Sequence, residues 1–403
     1  MDKHEYPNPM VHILELSKKI GPRRPTTENE HKAAEYIKNY YHSLGLSPTL
    51  EEFKAPSTFS WGYILLFGLF ILAFLLYPIH IIVATCIIFL ALVIFLIEGS
   101  SKTSILTKLS RGKSYNVITE ILPKDEVKKT IVLSGHYDSS RAAWFFNPKY
   151  VSKFRPLFLS MALSGIILPL LYLVAVIILF GLIPVFFTIP TGNTTIFSTI
   201  WYVSMIPTAF LFVGFISMVL RELAYDDVPG ANDNASGASI VLSLARILSK
   251  SPLNNTKVIF VSTGSEESGM NGMMNFLKRH GKRLKDAYFI NFDNLGIGNL
   301  TYVIGEGLLA TLWSDKELVS IAENVANAHP EWNVKPKVYK LLPTDATPAI
   351  AQGFKAISIM SFDDKGLLPN WHWYTDVYEN VEEETVMKAL KFAYELIKEI
   401  DKS

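Results

Sequence analysis

The sequence predicts an α/β domain of three layers, α/β/α, around a mostly parallel mixed sheet, with about four transmembrane helices inserted into it as two hairpins. Three observations carry this prediction. Short apolar segments alternate with amphipathic helical ones, the pattern of a sheet covered on both faces. Two long stretches, residues 61–97 and 156–220, contain no Asp, Glu, Lys or Arg. Single His, Asp and Glu residues recur just after the predicted strands, where an open α/β sheet builds its site.

In chain order, residues 1–60 form the first part of the α/β domain. Residues 10–44 are helix-patterned, with Ala33, Ala34, Ile37 and Tyr40 or Tyr41 on a face that packs on the sheet, and residues 48–53 read as a strand. Residues 61–97 are long enough to cross a bilayer twice at roughly 20 residues per helix, turning near Pro78 and His80. Residues 98–155 return to the domain. There, 115–122 and 130–134 read as two strands joined by the turn 123–126, a hairpin of antiparallel neighbours.

Residues 156–220 again suffice for two spans, broken by the polar segment 188–195, with Pro169, Pro184 and Pro207 as candidate kinks. Neither apolar stretch alternates like a barrel strand, and backbone in lipid must satisfy its own hydrogen bonds, so both read as helical. Residues 221–403 complete the domain. Helices are expected at 235–249, 270–283, 313–328, 346–352 and 382–400, and strands at 257–261, 287–292 and 356–360.

Composition agrees: 49% hydrophobic residues and a mean hydropathy of +0.25 exceed what a soluble enzyme of this length carries. A net charge of +1 gives no sign of nucleic-acid binding. Cys86 is the only cysteine, which excludes a disulfide framework or a thiolate metal site within one chain. The first sixty residues lack an apolar leader. Lys18, Lys19, Arg23, Arg24, Lys54, Lys102, Lys108, Arg111, Lys113, Lys149, Lys153, Arg155 and Arg221 all flank the spans on one side, and the opposite turns carry no Lys or Arg. The positive-inside rule then puts the catalytic part in the cytoplasm, with the basic flanks against lipid headgroups. Asn193-Thr194-Thr195 is a formal glycosylation sequon in a far-side turn.

A divalent metal that activates water needs several protein ligands and an open position, and a metal pair needs one carboxylate shared between them. His136 follows an apolar strand, and Asp138, two residues on, points the same way to orient the imidazole. Asp233 lies in Gly-Ala-Asn-Asp-Asn-Ala-Ser-Gly before a helix and alone reads as a cap. Glu266 and Glu267 are adjacent and so diverge, which suits one as ligand and one as base; alone they read as a solvated turn. Asp293 directly follows a strand. His372 sits in a loop between Trp371 and Trp373, which either wall an apolar pocket or pack at the headgroup level. Each is ambiguous alone; as a set they describe a two-metal hydrolase.

In order and local wording these segments resemble the M28 family of zinc peptidases, across the chain outside the apolar helices. Residues 20–23, 344–348 and 353–356 are also similar to family landmarks. The resemblance implies two Zn2+ ions, one held by His136 and Asp293, the other by Glu267 and His372, with Asp233 bridging. Glu266 is then the base that takes a proton from a metal-bridging water and returns it to the leaving amine of a peptide. Asp138 and Asp376 would orient His136 and His372, and a cis peptide would follow the bridging aspartate at Asp233-Asn234.

The implied activity is that of an exopeptidase, an aminopeptidase before a carboxypeptidase, with Arg141, Asp345, Asp363 and Asp364 as candidates to bind a terminal charge. A glutaminyl cyclase of this fold uses a single zinc and has no need of His136, and a non-catalytic receptor would have lost ligands that this chain keeps. His4, His12, His31, His42, His80, His280 and His329 lie outside the set and read as surface, packing or turn residues. The departure from the family pattern is the insertions. With strands 115–122 and 130–134 antiparallel, both insertions leave from the ligand-bearing edge, so the site is expected to look toward the bilayer and take peptides that are short, hydrophobic or released from membrane proteins.

Overall fold

A computed structural model describes residues 6–100, 105, 112–181 and 194–403. The chain divides into two units: Met1–Phe59, Thr107–Ser152 and Asp226–Ser403 form one, and Ser60–Leu106 with Lys153–Tyr225 the other. The strands are β1 (Thr49–Ala55), β2 (Gly112–Ile121), β3 (Lys129–His136), β4 (Thr256–Thr263), β5 (Tyr288–Phe292), β6 (Asn299–Glu306), β7 (Leu312–Trp313), β8 (Lys335–Tyr339) and β9 (Lys355–Phe362). The helices before the second insertion ends are α1 (Met10–Ile13), α2 (Glu28–Ser43), α3 (Ser60–Leu76), α4 (Ile81–Gly99), α5 (Phe154–Leu179) and α6 (Thr194–Ala224). After it come α7 (Gly237–Lys250), α8 (Asn271–His280), α9 (Lys316–Ala328), α10 (Ala346–Ala351) and α11 (Glu383–Lys402).

In the first unit the strands form one mixed sheet in the order β1-β2-β4-β3-β5-β9-β6-β7, with β8 also on β6. Its centre, β4, β3, β5 and β9, is parallel. Alternate residues of these strands enter separate cores, as the pleat dictates. Ile131, Leu133, Val258, Phe260 and Ile290 face α2, α7 and α11, whereas Val132, Ile259, Val261 and Phe289 face α8 and α10. Burying each such side chain contributes about 1.5–3 kcal/mol, and the two-sided burial explains why the strands read as continuous apolar runs.

Strands β2 and β3 run antiparallel but are not neighbours, which corrects the expected hairpin. Val258 of β4 is the register partner of both Ile121 and Ile131. The connection 122–128 gives its hydrogen bonds to the segment leading into β4: Lys124 N, Asp125 N and Lys128 N donate to Leu253 O, Asn254 O and Asn255 O. A short turn signal carries no information about a third strand that arrives from far along the chain. Three strands are not anticipated, β6, β7 and β8, and the expected helix at 313–328 begins later. Asp315 caps it by accepting from Glu317 N and Leu318 N, while Leu312–Trp313 pairs with β6.

Parallel strands put all their carboxyl ends on one edge. That edge also receives the end of β1 and the start of β2, where Ala55 and Gly112 are register partners, and an isolated bridge joins Arg141 to Asp227.

The second unit is built of α3, α4, α5 and α6, in which α3 packs on α4 and α6, and α5 on the same two. Leu66, Phe70, Ile88, Leu168, Tyr172 and Leu211 fill its interior. Gly68, Gly165 and Gly214 lie under Phe215, Phe70 and Phe67, small residues that let helices approach. Large apolar side chains also point outward, among them Leu75, Leu90, Leu96, Leu170 and Ile206. A helix apolar all round belongs in lipid or a large core. Three of these helices are long and apolar enough to cross a membrane, and Ser60–Leu76 is shorter: its 17 residues rise about 25 Å against a hydrocarbon core of about 30 Å. Pro169 and Pro207 lie inside α5 and α6. Pro184, the polar turn at 188–193 and Asn193 of the sequon lie outside the described residues.

Candidate metal centre

Four neighbouring parallel strands deliver four loops to one place. His136 is the last residue of β3, paired with Thr263, the last of β4. The loop after β4 carries Glu266 and Glu267, Asp293 follows β5, and the loop after β9 carries His372. Asp233 comes from the turn before α7, which crosses from β3 to β4. The fold thus converts five distant sequence positions into one cluster.

The ligand atoms form two groups that share one residue, His136, Asp233 and Asp293 in one and Asp233, Glu267 and His372 in the other. Asp233 presents one oxygen to each: Oδ1 lies 3.2 Å from His136 Nε2, and Oδ2 3.1 Å from His372 Nε2. Glu267 Oε1 is 3.1 Å from His372 Nε2 and makes no other contact with a donor. Asp293 Oδ2 and Glu266 Oε2 each lie 3.9 Å from His136 Nε2. The adjacent glutamates therefore diverge, one to each half.

These spacings fit a metal. Nitrogen and oxygen ligands at roughly 2.0–2.2 Å from a tetrahedral ion stand roughly 3.3–3.6 Å from each other. The charges fit as well, because Asp138, Asp233, Glu266, Glu267, Asp293 and Asp345 are gathered around two histidines. Burial pushes the Glu266 carboxyl well above its usual range, helped by Glu267, Asp345 and Asp293 against His136. Burial, with Asp233 and Asp345, pushes Asp293 up to about 7. Asp345 goes up to about 6, again chiefly by burial. On the histidines burial opposes charge but loses: Glu266, Asp138 and Asp233 hold His136 well above its ordinary value, and Glu267 and Asp233 raise His372 to about 9. Asp233 is held below the carboxylate range by both histidines despite its burial. Divalent cations would remove this repulsion and displace the histidine protons.

The loops that carry these groups are tied from beneath. Asp138 Oδ1 faces His136 Nδ1 at 3.5 Å. The same carboxylate accepts from Glu266 N at 3.1 Å and Glu267 N at 3.0 Å, so it aligns the β4 loop as well as the ring. Asp376 differs from its expected role. It accepts from Asn232 N at 2.6 Å and Asp233 N at 3.1 Å, bracing the bridging residue's backbone, while His372 Nδ1 makes no hydrogen bond. The Asp233-Asn234 peptide is cis. Asn234 then accepts from Gly237 N and Asn294 N and donates to Phe292 O, joining α7 to the end of β5.

His372 has φ +49°, and Ser265 and Asn294, each beside a site residue, have φ +52° and +51°. Such left-handed backbone at non-glycine residues clusters where side chains must be aimed. The His372 ring meets Phe146 edge-on at 4.5 Å and Trp371 at 4.8 Å. Trp371 is buried against Phe146, which assigns it to packing, and Trp373 lies tilted beside Tyr374.

None of the residues proposed for a terminal charge is open and unengaged. Arg141 pairs with Asp227 at 2.9 Å, and Asp345 accepts from Thr263 in the interior. Asp363 accepts from Lys365 N and Leu367 N, and Asp364 from Asn299. Three residues that sequence reasoning left out of the site belong beside it. Tyr339 is buried within the field of Asp293, Asp233, Glu306 and Glu266, so burial first and those charges next push its phenol well up and keep it a donor. Arg23, expected both in a motif and among the basic flanks at the lipid headgroups, is instead wholly buried and donates to the carbonyls of Leu16, Gly21, Tyr137, Pro229 and Gly230. Burial brings it down to about 10, while Asp138, Asp376, Asp233 and Glu267 sustain its charge. Glu30 is the third. Thr27-x-x-Glu30 is legible as a capping box, but its burial is not.

Residues 218–397 match the model of Peptidase family M28. Aminopeptidase YwaD of Bacillus subtilis is 35% identical over 72 residues, 17% of this chain and 16% of that protein. A putative endoplasmic reticulum metallopeptidase 1-B of Caenorhabditis elegans is 37% identical over 84 residues, 20% of this chain and 9% of that protein. The matched segments are thus a small part of either relative. Among solved structures, the zinc aminopeptidase BSAP of Bacillus subtilis superposes with a TM-score of 0.57 at 14% identity, covering 98% of this chain and 94% of that one. A Porphyromonas gingivalis glutaminyl cyclase gives 0.55 at 12% identity over 98% and 99%. These two show the shared fold. Residues 218–397 thus carry a domain that matches Peptidase family M28.

Proposed function

We propose that this chain is a membrane-bound dinuclear zinc exopeptidase, an aminopeptidase that removes residues from free peptide amino termini. The observation that carries the reading is the Asp233 carboxylate, one oxygen toward each ligand group, with Glu266 beside the pair. His136, Asp293 and Asp233 would hold one ion, Asp233, Glu267 and His372 the other. Bound there, the ions supply Lewis acidity and acidify water. Glu266 accepts the proton of the attacking water at a carboxylate oxygen and delivers it to the leaving amine, the work of a general base and then acid. Asp138 and Asp376 keep the ring and backbone of the ligands in place.

The apolar helices and the Lys and Arg residues beside them support a chain held in a bilayer with this unit in the cytoplasm. We read the substrates as short or hydrophobic peptides met at the membrane surface. The test is zinc content of the detergent-purified protein, with hydrolysis of free and blocked peptides by wild type and Glu266→Gln. Two zincs, cleavage from free termini only, and loss of cleavage in the variant are expected. Bound metal without hydrolysis, or cyclisation of glutaminyl peptides in its place, would overturn the reading. Sidedness is read separately, by labelling single cysteines placed at residues 125 and 285 in sealed vesicles; labelling from the non-cytoplasmic face would reverse it.

A further inference from the structure

We infer that Glu30 is a positioning residue for Glu266, holding the loop after β4 in the backbone conformation that aims the base; this rests on the reading of Glu266 given above. Glu30 is the third residue of α2 and only 1% exposed. Its Oε2 accepts at 2.5 Å from the amide of Thr26, the residue before the Thr27 cap, a reach-back like that of a capping box but one residue longer. A cap needs only that oxygen and ordinarily stays at the surface. Here Oε1 accepts from three donors: Ser114 Oγ of β2 at 2.7 Å, Ser265 N at 2.9 Å and Ser265 Oγ at 3.1 Å.

Ser265 immediately precedes the base and has φ +52°. That conformation is unfavourable for a residue with a Cβ unless its surroundings hold it. Glu30 supplies the hold from one side, and Asp138 continues it by accepting from Glu266 N and Glu267 N. Two buried carboxylates therefore take three consecutive backbone amides, and the side chains of Glu266 and Glu267 leave from a fixed frame. Without Glu30, Ser265 relaxes toward negative φ and swings Glu266 away, while Glu267, tied by its amide to Asp138 and by its carboxylate to His372, stays put with His136, Asp233, Asp293 and His372.

Glycine adopts positive φ at no steric cost, so it separates this role from plain packing. In detergent-solubilised full-length protein, Glu30→Gln is expected to lower kcat about 10–100-fold, the range for groups that orient ligands and bases. KM should change within about twofold and zinc content stay at wild type. In a Ser265→Gly background the same substitution should cost less than about fivefold, a coupling read from the double-mutant cycle. If Glu30→Gln does not fold, Glu30→Asp carries the test, because the shorter carboxylate cannot span Thr26 and Ser265 together.

A kcat within about threefold of wild type, an equal loss in both backgrounds, or loss of zinc alongside activity would overturn the inference. Glu266→Gln is measured alongside. If that variant keeps full activity, the base assignment falls and this inference with it. If it is inactive while Glu30→Gln and Glu30→Asp are unaffected, only the positioning role falls.

Discussion

The two histidines of the centre approach the shared Asp233 carboxylate equally closely, at 3.2 and 3.1 Å, but are held there by different means. His136 ends a central strand whose register partner is fixed on either side, and a carboxylate faces its second nitrogen. His372 sits in a loop with left-handed backbone, its second nitrogen makes no hydrogen bond, and two aromatic rings hold its plane. Neither second nitrogen makes a hydrogen bond, so one ligand is held by its strand and a facing charge and the other by shape. A facing carboxylate favours one ring orientation through charge, whereas an aromatic slot favours one through volume. The first half is therefore sensitive to charge and the second to packing.

The largest effect removes the contrast altogether. Asp233→Asn takes away the carboxylate that the halves share, so both ions should be lost from the purified protein. Activity should fall beyond the roughly 10²–10⁴-fold that proton transfer alone contributes. Retention of one tightly held zinc would mean that the halves are independent.

Stripping the metal with a chelator exposes the charges that the ions offset. Asp293, raised to about 7 by burial and neighbouring acids, disfavours the folded state once it ionises. His372, raised to about 9 chiefly by Glu267 and Asp233 against burial, favours the folded state below its ordinary value, and that support is lost as pH rises through 9. Both act in one direction, so the melting temperature of the metal-free protein should drop as pH rises from about 6 to about 9. The zinc-loaded protein should change little over that window. A flat profile for the metal-free form would refute this account of the acid cluster.

Asp138→Asn sharpens the comparison, because it keeps the shape and removes the charge beneath His136. Zinc titration should show the site of His136 weakened about 10–100-fold, and the site of Glu267, whose amide Asp138 also holds, weakened less. Phe146→Ala is the counterpart in the other half. An aromatic contact of about 0.5–1.5 kcal/mol corresponds to less than about tenfold in affinity, confined to the ion of His372. Equal weakening of both sites by either variant would collapse the distinction between the halves.

The same contrast explains what the sequence makes legible. His136, Asp233, Asp293 and the glutamate pair stand beside apolar strands or a small-residue turn, and those local patterns have a period that can be read. His372 was identified by its place in the motif order, but its partners could not be. Phe146 lies 226 positions away, in the stretch between β3 and the second apolar insertion. Asp376 was paired with the wrong group because it is four residues from His372, and spacing in a loop does not fix direction. The expected β2–β3 hairpin failed for the same reason, since β4 arrives between them from beyond a whole insertion. Glu30 and Tyr339 carry ordinary local signals, a cap and a strand tyrosine, and only three-dimensional burial turns them into parts of the site.

The pairing of Ala55 with Gly112, and of Arg141 with Asp227, makes both apolar excursions parenthetical. The chain departs and returns at hydrogen-bonded neighbours, so the sheet has already brought the ends together. Loop-closure entropy grows only slowly with what lies between. A lineage can therefore gain or lose such an apolar segment as a cassette without reordering a strand, by editing two clauses of the chain.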